Sequence, residues 1–314
     1  MIRHRTIATN GIRMHVAEAG SGPLVVLLHG FPESWYSWRH QIPALADVGF
    51  RVVAPDQRGY GGTDAPEAIP AYDIEHLSGD VVGLLDALGE KTAVVAGHDW
   101  GAPVAWHCAL AHPDRFRAVA ALSVAYLPRS PLPPLEMFRM LAGDNFFYII
   151  YFQKPGVAEA ELEHDVRDTL RRFLYAASGD VTEPPDFWQK PKDAKFLDGL
   201  PDPERLPAWL TEADLDFYTN EFRRSGFRGG LNWYRNMDRN WELTAHLAEA
   251  KVSQPALFVA GERDGVLMMA PPDAMRPYVP NLRSVVLIPG CGHWTQQERP
   301  AEVNAALIEF LRGL

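Results

Sequence analysis

The stretch "VVAGHDWGAPVAW", residues 94–106, decides the fold. Its first half is a short apolar run, the pattern of a strand covered on both faces. Its second half opens a helix, with Pro103 in the first turn, where a missing N–H costs little. Gly97 and Gly101 flank Asp99, which suits a sharp strand-to-helix turn in which the two elements approach closely. Asp99 therefore stands at a helix N-terminus, where free N–H groups and the macrodipole favour a carboxylate over a carboxylic acid. By itself an aspartate there is an ordinary N-cap. An ionised carboxylate in that place can also attack an electrophilic sp³ carbon and form an ester.

Working outward, the chain alternates strand and helix. "GIRMHVAEAG" (11–20) alternates like an edge strand, and "PLVVLLHG" (23–30) is a continuous apolar run ending in Gly. "SWYSWRHQIPALAD" (34–47) reads as helical and "FRVVAPD" (50–56) as a strand. In "DIEHLSGDVVGLLDALG" (73–89), Ile74, Leu77, Val81, Leu84, Leu85 and Leu88 keep the helical period, and Gly89 is a natural stop. A strand at "TAVVAG" (92–97), a helix from Trp100 and a strand at "FRAVAALSV" (116–124) follow. This alternation means a mostly parallel sheet with helices on both faces.

The character changes at the proline-rich "LPRSPLPP" (127–134), and aromatic and charged residues at helical spacing run to about residue 250. Six prolines between 181 and 209 imply an irregular loop there. Strand patterns return at "QPALFVAGERD" (254–264) and "LRSVVLIPGCGH" (282–293), before an amphipathic helix, "PAEVNAALIEFLRGL" (300–314). The economical division is a core of residues 1–127 and 251–314, interrupted by a helical insertion, 128–250. Such an insertion would sit over the C-terminal edge of the sheet, where α/β folds bind ligands.

At 314 residues the chain can bury a large core without staples. Its two cysteines, Cys108 and Cys291, form no framework and no C-x-x-C. A net charge of −10 argues against a nucleic-acid partner, which needs clustered Lys and Arg. The one basic cluster, "FRRSGFRGG" (222–230), reads as a solvated face. No stretch approaches the roughly 20 apolar residues of a membrane span, and no signal-peptide run opens the chain, so the expected location is cytoplasmic. A homo-oligomer stays open. The 11 histidines are scattered without an H-E-x-x-H, so neither a metal nor another cofactor is expected.

Three strand ends carry candidate chemistry: Asp99, then Asp264, then His293. All three would emerge on one edge of a parallel sheet, and the 29 residues between the last two leave room for a helix and a strand. An ester formed on Asp99 must later be attacked by water, which needs a base. His293 suits that task, with Asp264 fixing its tautomer and stabilising the imidazolium. Asp264 alone would pass for a turn residue and His293 for a loop histidine; it is the set that points to catalysis. His29 and His98 read as structural hydrogen-bonding residues, and Asp56 as a loop organiser.

These residues resemble the α/β-hydrolase-fold epoxide hydrolases, whose nucleophile, acid and histidine follow in this chain order. The resemblance runs nearly the whole chain. It covers "HGFPESW" (29–35), "RGYGGT" (58–63), "GHDWG" (97–101), "GERDGV" (261–266) and "CGHW" (291–294). In the insertion, "YIIYFQKPGVAEAELE" (148–163) and "FRRSGFRGGLNWYRNMDRNWE" (222–242) look like the cap of the soluble type. The resemblance implies an α/β-hydrolase fold with an inserted helical cap, and conversion of an apolar epoxide and water to a vicinal diol. It implies oxyanion donors at the backbone N–H groups of Phe31 and Trp100. It also implies that Tyr148 and Tyr234 grip and protonate the epoxide oxygen, with Tyr151, one helical turn on, as the alternative to Tyr148. Phe31, Trp35, Phe138, Phe146, Trp188, Leu267 and Met268 are expected as walls of an apolar pocket. The rival activity is haloalkane dehalogenation by the same Asp/His/Asp set. Those enzymes commonly place a side-chain donor after "HG", where this chain has Phe31. Fluoroacetate dehalogenases would carry an Arg at Trp100.

Overall fold

The computed structural model describes residues 1–181 and 190–314. Eight strands form one sheet: β1 (Arg3–Thr9), β2 (Ile12–Ala19), β3 (Leu24–Leu28), β4 (Arg51–Pro55), β5 (Ala93–His98), β6 (Phe116–Leu122), β7 (Ala256–Gly261) and β8 (Leu282–Ile288). Their order is β1-β2-β4-β3-β5-β6-β7-β8, and all pairs from β4 to β8 are parallel. β1 and β2 are joined antiparallel through Asn10–Gly11, both at positive φ, and β2 runs antiparallel to β4. "GIRMHVAEAG" is thus the second strand and not the edge. The edge is β1, whose charged, mostly exposed Arg-His-Arg start masks its strand character in the sequence.

In the core, α1 (Gln41–Asp47), α2 (Ile74–Leu88) and α3 (Gly101–Ala111) connect the strands. "SWYSWRHQIPALAD" divides into a 3₁₀ turn, Trp35–Trp38, and α1. Helix α2 begins where the Asp73 side chain accepts from His76 N–H and ends at Gly89, left-handed at φ 72°. Its apolar stripe, including Leu77, Val81, Leu84 and Leu85, is buried. Truncating the fully buried Leu84 to Ala would cost about 2–5 kcal/mol in lost transfer energy and cavity.

Between β6 and β7 lie α4 (Pro134–Ala142), α5 (Tyr148–Tyr151), α6 (Val157–Leu162), α7 (Val166–Ala176), α8 (Glu212–Ser225), α9 (Arg228–Arg235) and α10 (Met237–Leu243). Among the described residues this segment adds no strand to the sheet. The helices α11 (Thr295–Glu298) and α12 (Pro300–Arg312) close the chain. Arg223 and Arg224 of the basic cluster are exposed, while Phe222 and Phe227 beside them are buried. No helix among the described residues is long and apolar enough to cross a membrane.

Strand β5 is buried along its whole length and sits at the middle of the parallel part of the sheet. The C-terminal ends of β3, β5, β6, β7 and β8 lie along one edge. That edge is where the chemistry-bearing residues gather.

Candidate active site

Asp99 occupies the turn between β5 and α3 with φ 50°, a left-handed conformation that a non-glycine residue adopts only when its surroundings enforce it. Gly97 and Gly101 enforce it here. A Cβ on Gly97 would lie 2.0 Å from the Gly101 carbonyl oxygen, and one on Gly101 would lie 2.2 Å from that of Leu28. Any side chain at either position would push the turn apart.

The three strand-end residues meet. His293 Nε2 lies 3.4 Å from Asp99 Oδ2, and its Nδ1 lies 3.2 and 3.3 Å from the Asp264 oxygens. Burial alone would raise the Asp99 pKa. The hydrogen bond and charge of His293, with His98 and the Phe31 N–H, outweigh burial and hold it below the usual carboxylate range. Asp264 behaves likewise: its buried carboxyl is held low by His293, Ser123 and the Val266 N–H. Burial pushes His293 down, but the two carboxylates override it and lift the imidazole well above the usual histidine value. The two carboxylates thus bracket the imidazole and favour its protonated form.

The Phe31 N–H donates to Asp99 Oδ1 at 2.7 Å, so the "HGFP" loop reaches the carboxylate. The hydrogen bonds of the described residues do not bring the Trp100 N–H to that carboxylate. The trans rule is broken once nearby, at the cis Phe31–Pro32 bond. Above Asp99 lies a cavity of about 410 Å³ with a mostly apolar lining. Tyr148 and Tyr234 line it with Asp99 and Trp100, their rings edge to face at 6.1 Å between centroids. Burial, then the Asp99 charge, push both phenols upward, so both stay protonated. Tyr151 points elsewhere: its hydroxyl donates to Glu161 at 2.6 Å.

A shell behind the site holds it in place. Glu33, fully buried, accepts from Gly30 N–H at 2.8 Å and from Gln296 and Gln297 at 3.0 and 3.1 Å, and pairs with His98 Nδ1 at 2.8 Å. His98 Nε2 in turn lies 2.7 Å from the His293 carbonyl oxygen. The insertion contributes as well, since Ala177 O accepts from His293 N–H at 2.9 Å. Ser123, at the end of β6 with φ 71°, places its hydroxyl 3.0 Å from His293 Nδ1.

Comparison with known proteins shows the family. The family described as alpha/beta hydrolase fold matches residues 23–300. Epoxide hydrolase A of Mycobacterium tuberculosis is 55% identical, the match covering 99% of this chain and 97% of that one. The crystal structure of epoxide hydrolase A from Mycobacterium thermoresistibile superposes with a TM-score of 0.96 at 57% identity, covering 100% of this chain and 99% of the other. The chain belongs to the epoxide hydrolases of the α/β-hydrolase fold. Bifunctional epoxide hydrolase 2 of Sus scrofa is 46% identical over 96% of this chain and 53% of its own, so the likeness extends to the soluble type.

The cavity departs in several places from the walls expected of it. Phe138 lines it. Trp35 does not: opening the 3₁₀ turn that follows β3, it is buried against His4, His15, Tyr36 and Phe217 in the core cluster on the other face of the sheet. Phe146 packs on Tyr151, away from the cavity. Leu267 packs on the core and Met268 is 80% exposed; in and just after the 3₁₀ turn that follows Asp264, it is Val266, Met269 and Ala270 that line the cavity. The Phe31 ring is covered by Phe152, Phe173, Phe227 and Tyr234, so only its N–H serves the site. Trp188 lies outside the described residues.

Sequence reasoning missed Ser123 and Glu33. Ser123 carried a signal, since it ends a strand on the same sheet edge as Asp99. Glu33 carried none, because a buried carboxylate is recognisable only from the partners that neutralise it. His29, as expected, is structural: its Nε2 accepts from Gln57 N–H and its Nδ1 donates to Gly30 O. Asp56 organises its loop by accepting from Trp35 and Gly62 N–H and pairing with His15.

Proposed function

We propose that this epoxide hydrolase opens apolar epoxides through a covalent ester on Asp99. The observation that carries the reading is a half-buried Asp99, its pKa held below the usual carboxylate range, in an apolar cavity whose lining includes two protonated tyrosines. One Asp99 oxygen attacks an epoxide carbon and the C–O bond breaks. Tyr148 and Tyr234 hold the leaving oxygen, and one of them gives it a proton, which is favourable because an alkoxide is more basic than a phenolate.

Esterification removes the negative charge of Asp99. One of the two influences lifting His293 then disappears, and its pKa falls toward a value at which it acts as a base. His293 passes its proton to the tyrosinate left by ring opening, then takes a proton from water as the hydroxide attacks Cγ of Asp99. Asp264 stabilises the imidazolium, as a carboxylate does in the Ser-His-Asp template. The Phe31 and Trp100 N–H groups bind the tetrahedral oxyanion; on its collapse the departing diol oxygen takes the remaining hydroxyl proton, which restores the Asp99 carboxylate and releases the vicinal diol. Every atom of the reaction comes from epoxide, water and these side chains. We assign residues 128–250 the role of a cap, since Tyr148 and Tyr234 stand on its helices α5 and α9.

The test is a product assay with styrene oxide and trans-stilbene oxide, beside 1-bromobutane. Diol formation that disappears in Asp99→Ala supports the reading. Bromide release without diol would select dehalogenation in its place.

A further inference from the structure

The cavity follows one face of α3. Asp99, Trp100, Pro103, Trp106, His107 and Leu110 all line it, the spacing of a single helical stripe. At 1.5 Å per residue His107 stands about 12 Å beyond Asp99. The wall between them is apolar, and the indole N–H of Trp106 is already given to Val124 O at 3.1 Å. His107 makes no hydrogen bond to the described residues. Burial, reinforced by His112 and His246, pushes its pKa down to about 4, so the imidazole is neutral and presents one N–H donor. His107 is half-buried, so its N–H is free to exchange water for an acceptor on a ligand that fills the apolar cavity.

We propose that His107 is a specificity-determining residue that donates a hydrogen bond to an uncharged ester or amide carbonyl carried by the substrate about 12 Å from the epoxide. This rests on the reading of Asp99 as nucleophile, which fixes the epoxide end. A neutral imidazole cannot neutralise a carboxylate at that depth. The guanidinium of Arg129, further along the lining, is stacked on Trp241 and donates to its carbonyl oxygen. The favoured substrates are therefore elongated and neutral, with a single distal acceptor.

The test compares a straight-chain epoxide bearing a methyl ester about eight methylenes from the ring, to match the 12 Å reach, with the all-hydrocarbon epoxide of equal length. The ratio of their kcat/KM values is measured in the wild type, His107→Phe and His107→Gln. Differences in hydration cancel in that double ratio. One hydrogen bond predicts an ester preference about three- to tenfold smaller in His107→Phe, partly restored in His107→Gln. An unchanged ratio in a folded His107→Phe overturns the proposal while leaving the ester mechanism intact. A preference for the free acid that survives His107→Phe and falls in Arg129→Met also overturns it. Absence of any diol in the wild type would instead sink the nucleophile reading beneath it.

Discussion

In the mechanism we propose, Asp99, His293 and the two tyrosines each carry a separable part of the reaction. Asp99→Ala removes the atom that forms the bond, and steady-state diol production should fall by at least about 10⁴-fold, the scale of losing a nucleophile. Tyr148→Phe and Tyr234→Phe should each slow ring opening about 10²-fold in single-turnover measurements, as the loss of one positioned donor does. Tyr151→Phe should leave that step near the wild-type rate, because its hydroxyl is given to Glu161. The pH dependence follows from the His293 environment. In the free enzyme both carboxylates lift its pKa; in the ester only Asp264 remains charged. Ester breakdown, which needs neutral His293, should rise with pH around a pKa lower than that found by titrating His293 in the free enzyme. The opposite order would remove His293 from the base role. At this scale the sequence was informative where chemistry and turn geometry coincide. Asp99 between two glycines could be read directly, whereas Met268 could not, because the inward face of a one-turn 3₁₀ segment has no period to read.

The elements matter through the way they aim these side chains. Strand β5 and helix α3 hold Asp99 in a left-handed turn that only Gly97 and Gly101 permit, and the strand ends of β7 and β8 deliver Asp264 and His293 to it. Glu33 ties the "HGFP" loop to α11 through Gly30, Gln296 and Gln297, and to β5 through His98. Glu33→Ala would leave a buried histidine and three donors without their acceptor. Such a loss costs about 3–5 kcal/mol in comparable buried pairs, so a clear fall in the thermal midpoint is expected, read by calorimetry. An unchanged midpoint would show that water replaces the carboxylate at no cost. The central strands and α2 were legible because each is a continuous apolar run or a helical stripe with a glycine stop. β1 was not, because an edge strand with one half-exposed face carries charges where the pattern expects alternation.

For the whole molecule, the order of strands and helices predicted the α/β core, and the break in pattern near residue 127 marked where the sheet is interrupted. The contents of that interruption were the least legible part, because its helices are short and their packing is decided by the surface they cover. Phe146 faces Tyr151 while Tyr148, two positions on, faces Asp99's cavity. Acid stability also belongs to this scale. His29 and His107 are kept neutral by burial, so their contribution is present above the ordinary histidine pKa of about 6.5 and is lost as pH falls through their lowered values. Asp56, Asp99 and Asp264 have depressed pKa values, and their contribution is lost below the carboxylate range. The thermal midpoint should therefore decline as pH drops below about 6.5 and more steeply below about 4, in melts across that series. The most direct measurement of the covalent route is a single turnover with excess enzyme in heavy-oxygen water. Mass spectrometry of the peptide containing Asp99 should find the label in its carboxylate, and the diol of that first turnover should be unlabelled. Label in the first diol with none in Asp99 would mean that water, and not the aspartate, attacks the epoxide.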